Sequence, residues 1–155
     1  MSTPIIETIA LKLVDLINAI TIANGFNQDL TAVRPKRIHL EGDLNKDNTV
    51  IIEQEDATVE QLSEDVTMWR QGFTLQALVI DSDAATAAID TRLNQVAADI
   101  LKKLFGGTNW QLESNACGID LRGTEKFIAD PQMAGIAVNI DILYRVKTDD
   151  PYTIG

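Results

Sequence analysis

The amino-acid sequence predicts a single α+β domain over residues 1–155, with a mainly antiparallel sheet of about four to five strands and two long amphipathic helices packed on it. Three observations carry this expectation. Two well-separated segments repeat apolar residues at helical spacing, the stretches between and after them alternate apolar with polar residues, and the connections are short. A chain of 155 residues with 45% hydrophobic content is enough to fill one core.

The first helix opens with Thr3 as N-cap and Pro4 at the first helical position. Its apolar residues Ile5, Ile6, Ile9, Leu13, Leu16, Ile17 and Ile20 share one face, and Asn24-Gly25 closes it. Thr31–Leu40 reads as a strand in which Pro35 marks an edge or bend, and Thr49–Gln54 reads as another. Asp65–Ser82 sets Trp69, Phe73, Leu75, Ala77 and Val79 against mostly polar neighbours, which predicts a long strand bulged near Gly72. Ser82 or Asp83 then caps a second helix striped by Ala85, Ile89, Leu93, Val96, Ile100, Leu101 and Leu104. Lys102 and Lys103 complement the dipole of its last turn, and Gly106-Gly107 stops it. Two further strands follow, separated by a loop at Ala129–Gly135. In the second of them Val138, Ile140, Ile142, Tyr144 and Val146 recur at every second position, the period of a strand with one buried face.

Charge narrows the function classes. The formal net charge is −10, and Glu41–Asp65 holds nine acids against the lone base Lys46, so this segment is expected to be a solvated face or loop. Such a chain repels phosphate backbones, and the single basic cluster Arg34–Arg37 is too short to reverse that. No run of 18 apolar residues spans a membrane and the first residues lack a signal-peptide layout, so a cytosolic protein without membrane contact is expected. Cys117 stands alone, which excludes an internal disulfide and a thiolate cage; a small buried hydrophobe is the expectation.

The sharpest local motif is Asp43, Asn45 and Asp47, which fall at the first, third and fifth positions of a calcium loop with Thr49 at the seventh. The rest departs from that pattern: Asn48 stands where glycine is needed, and Gln54 where a bidentate Glu is needed, with Glu53 one place early. A polar hairpin loop, with no metal and no cofactor, is the expectation. For catalysis the candidates are His39 as base and Cys117 as nucleophile, yet neither a nucleophile elbow nor a glycine-rich phosphate loop accompanies them, so no catalytic residue and no enzyme activity are expected. Trp69 and Trp110 are read as core residues before partner anchors.

The order of segments resembles one family. "ETIALKLVDLINAITIANGFNQDLTAVRP", a central strand running into a helix that ends "AADILKKLF", and the closing "VNIDILYRVKTDDPYTIG" are together similar to phage tail-terminator or tail-completion proteins. The most specific positions are Ile140, Ile142, Tyr144, Arg145, Asp150, Pro151 and Tyr152. The resemblance implies a virion structural protein at the head-proximal end of the tail, assembled in the host cytoplasm as a homo-oligomeric ring, usually hexameric. Such a ring caps the tail tube, stops its polymerisation and docks the head-neck connector, while DNA passes the lumen without specific binding. On this reading 147–155 is a C-terminal arm, and the assembly surface takes in Asp150, Pro151 and Tyr152 with the acidic Glu53, Glu55 and Asp56. The alternatives are a head–tail neck adaptor or other tail component, a calcium-binding module using Asp43–Asp47, and a small hydrolase using His39 or Cys117.

Overall fold

The computed structural model describes residues 2–35, 47–80, 88–106, 115–130 and 133–155. The helices are α1 (Ile5–Asn18) and α2 (Ile89–Phe105), and the strands are β1 (Thr31–Val33), β2 (Thr49–Leu62), β3 (Val66–Ile80), β4 (Gly118–Asp130), β5 (Met133–Lys147) and β6 (Asp150–Ile154). The sheet order is β1-β2-β3-β5-β4, and β6 pairs with β5 off that path.

This corrects the expected fold class. The protein is mostly β, with 51% of the described residues in strands and 27% in helix, and its curled sheet is mixed. Pairs β2–β3, β3–β5, β4–β5 and β5–β6 are antiparallel, but β1 runs parallel to β2, Thr31 opposite Thr49 and Val33 opposite Ile51. Parallel neighbours cannot be linked by a tight turn, so β1 and β2 do not form the hairpin expected around Asp43–Asp47. The strands are also longer than their apolar patterns. In β2 only Thr49–Ile52 is buried, and the remainder to Leu62 is exposed and held by pairing with β3.

Both helices lie on one face of the sheet. Phe73, Leu75, Ala77 and Val79 of β3 and Ile136, Val138, Ile140, Ile142, Tyr144 and Val146 of β5 meet Ile9, Leu13, Leu16 and Ile17 of α1 and Leu93, Val96, Ile100 and Leu104 of α2 in one core. Tyr144 is buried there, and desolvation raises the pKa of its phenol. On the opposite face a small cluster of Ile51, Leu78 and Met133 packs with Val33, Ile80 and Phe127.

The first helix ends earlier than expected, at Asn18, whose side chain accepts the Ala32 N–H at 2.8 Å. Thr21 is extended and caps a separate 3-10 turn, Ile22–Asn24, accepting the Asn24 N–H at 3.2 Å before Gly25 leaves at φ 88. Pro4 takes the N-cap position in place of Thr3. The expected caps Ser82 and Asp83 of α2 lie outside the described residues. Buried Asp99 of α2 accepts both the backbone N–H (3.0 Å) and Nδ2 (2.8 Å) of Asn27, tying that helix to the loop after the 3-10 turn.

Candidate functional site

The face of the sheet that bears neither helix carries the densest chemistry among the described residues. Strand register sets Gly72 opposite Asp141 and Asp141 opposite Asp120, so two carboxylates stand side by side. Like charges directly opposed in a sheet repel. Arg70 offsets this: its Nη1 donates to Asp120 at 2.9 Å and to Asp141 at 3.2 Å, while its Nε donates to Glu60. These bonds push the guanidinium pKa further up, Glu60 first, then Asp120 and Asp141. Arg122 of β4 completes the set, with Nε 3.0 Å from Asp141 and Nη2 2.8 Å from Glu55 of β2.

Gly72 leaves room for the Glu55–Arg122 link. A Cβ at that position would lie 2.7 Å from Glu55 Oε2 and 3.3 Å from Arg122 Nη2, so the carboxylate crosses the sheet over the glycine. The expected bulge near Gly72 is on the other strand. β3 keeps unbroken register with β5 through Gly72, whereas β2 shifts between Gln54 and Ala57. The sequence points to Glu55 as an acidic surface residue, but Glu60, Arg70, Asp120, Arg122 and Asp141 form no local motif. The signal that would have found them is alternation of opposite charges on the polar phase of four strands, which is readable only once register is known.

The residues singled out from sequence fall in several places. Glu53, Glu55 and Asp56 are exposed on β2; Gln76 donates to Glu53 at 3.3 Å, and Glu55 belongs to the charge set. Asp150, Pro151 and Tyr152 open β6, which folds back on its own chain with Ile154 opposite Val146. Asp150 accepts from the Thr153 hydroxyl (2.6 Å) and the Tyr152 N–H (3.1 Å), which together with the nearby Lys147 charge hold its carboxyl below the ordinary aspartate pKa. Tyr152 and Ile154 remain exposed.

Asp43, Asn45, His39 and Trp110 lie outside the described residues. Asp47 is occupied by its own chain: it accepts from Arg92 Nη2 at 3.1 and 3.2 Å and from the Ile80 N–H at 3.0 Å. Asn48 sits in the left-handed region at φ 57. Cys117 is exposed, where a buried thiol was expected; it stands just before β4, and its N–H donates to the Leu143 carbonyl. Trp69 is partly buried against the core. Among the described residues no three His, Cys, Asp or Glu side chains converge as a metal site. A cavity of about 230 Å³ at the tip of the β2–β3 hairpin is lined by Gln61, Ser63, Val66, Met68, Arg145 and Gly155, with Arg145 the one ionisable side chain among the described residues that line it. No helix among the described residues is long and apolar enough to cross a membrane. No family model matches the chain, and no curated protein matches it.

Proposed function

We propose that this chain is a structural ring subunit that caps a completed phage tail tube, halts its polymerisation and presents a docking surface to the neck of the filled head. The observation that carries the reading is the two-sided build of the sheet. Helices cover one face, and the other is a broad plane on which Arg70 and Arg122 are held by Glu55, Glu60, Asp120 and Asp141 of the same chain. Nucleic-acid affinity comes from Lys and Arg displacing phosphate counterions. Here those two cations are already engaged and carboxylates outnumber them. As a lumen wall such a face repels duplex at short range, within about 8 Å at physiological salt, so the genome slides past without sticking. The segment order described above supports the same reading.

The mechanism is one of geometry. One face of the ring matches the last ring of the tube, and the other offers the tube subunit no further site; a heterologous contact that closes on itself does not propagate as a filament. The test is to interrupt the chain's reading frame in the genome that encodes it and image the lysate by negative stain. Unjoined heads alongside tubes that run beyond the normal stop are expected. Tails of normal length that fail to join would assign the chain to the neck, and uniform, capped and joined tails would overturn the proposal.

A further inference from the structure

Resting on the ring reading above, we propose that neighbouring copies of the chain pair edge to edge, the outer edge of β2 in one copy against the outer edge of β4 in the next. Both edges are open among the described residues. β1 covers only Thr49–Ile51 of β2, leaving Glu53–Leu62 bonded on one side, and β4 pairs only with β5. An open row of backbone N–H and C=O groups is a template for another strand.

Strand direction selects the partner. The antiparallel pairs β2–β3, β3–β5 and β5–β4 make β2 and β5 run one way and β3 and β4 the other. A copy placed alongside by rotation about an axis along the strands keeps those directions, so β4 meets β2 of its neighbour antiparallel, with both helix layers on the same side. Matching an edge with itself either turns one copy end for end or sets the two helix layers on opposite sides, and gives a closed dimer in place of a ring.

Charge argues against self-pairing as well. Glu53–Leu62 carries Glu53, Glu55, Asp56 and Glu60 with no base, so two β2 edges repel. β4 is closer to neutral, with Arg122 and Lys126 against Asp120, Glu125 and Asp130. In its regular run between two bulges, Gly123–Ile128, self-pairing about Glu125 or Lys126 puts like charge on like.

The edges also share an apolar side. Val59 (49% exposed) and Leu62 (68%) on β2, and Leu121 (47%) and Ile128 (84%) on β4, all point to the helix side, since they pair with Trp69, Thr67, Ile140 and Ala134. The two edges are level. Glu53, Thr74, Asn139 and Gly123 form one cross-sheet rank, and Thr58, Arg70, Leu143 and Gly118 another. Copies side by side thus bring the open part of β2 to Gly118–Gly123.

The test places cysteines on the exposed, helix-side positions Ala57 and Leu121, in a Cys117→Ser background. The double variant, treated with a short bismaleimide, should give a ladder of covalent adducts ending at the ring, because each link leaves one free β2 and one free β4 edge. Each single-cysteine variant should stay at monomer mass. Dimers from a single-cysteine variant would overturn the proposal in favour of self-pairing. No adducts, with wild-type rings present in native mass spectrometry, would overturn the edge contact and leave the ring reading standing. Wild-type protein that is monomeric at every concentration would overturn both.

Discussion

Replacing Arg92 with Met tests how the open end of the sheet is tied to the second helix. Arg92 projects from the first turns of α2 with its side chain 17% exposed; Nη1 donates to the Ile80 carbonyl at 2.6 Å and Nη2 grips both oxygens of Asp47. A hydrogen bond from a charged donor contributes about 1.5–3 kcal/mol, and the carbonyl at the end of β3 loses that donor in the variant. Asp47 is 45% exposed, so its ion pair with Arg92 is screened and adds only about 0.5 kcal/mol. The expected total is about 2–3.5 kcal/mol, or a fall in Tm of roughly 4–14 °C for a chain of this size. Urea unfolding followed by circular dichroism should show a lower midpoint with an unchanged slope. Asp47→Asn keeps an oxygen for the Ile80 N–H, so a double-mutant cycle with Arg92→Met isolates the ion pair, at about 0.5 kcal/mol of coupling. Because Asp47 is occupied by Arg92, calcium should leave Tm unchanged, as a ligand bound only to the folded state must raise it. An Arg92→Met variant as stable as wild type, or a calcium-dependent rise in Tm that Asp47→Asn abolishes, would refute the assignment.

Asp150→Ala should free β6 at neutral pH, seen as faster amide exchange at Ile154. In the wild type the lowered Asp150 pKa places the stabilisation above the ordinary aspartate range, so the same loosening should appear only as pH falls through the lower folded value. Ile140→Ala, at a fully buried site, should cost about 2–5 kcal/mol, whereas Ile128→Ala should change monomer stability by no more than about 0.5 kcal/mol in a urea melt. Gly135→Val should cost about 1–3 kcal/mol, because a Cβ there runs into the Phe127 ring; Phe127→Ala in the same chain should recover part of the loss, and strictly additive effects would count against that contact.

The sequence by itself determined the elements that bury one face. The helical stripes of α1 and α2 and the alternation in β3 and in Val138–Val146 were legible because a half-buried element must repeat its apolar residues at its own backbone period. Elements held by backbone pairing leave no such record. β2 beyond Gln54 is exposed on both faces and reads as a solvated face or loop, yet it is a strand because β3 supplies hydrogen bonds along its length. The three-residue β1 is too short to show a period, so its parallel pairing, and with it the mixed sheet, came only from the tertiary structure. The tail reads from sequence as an arm that leaves the sheet, whereas Asp150–Ile154 returns onto β5 as a strand, through the Asp150 bonds to Tyr152 and Thr153 and the pairing of Ile154 with Val146. The charge set on the face opposite the helices lay furthest from view. Glu55, Arg70, Arg122 and Asp141 are distant in the chain and become neighbours only through register, and a one-residue slip in any strand would turn its charged residues to the opposite face.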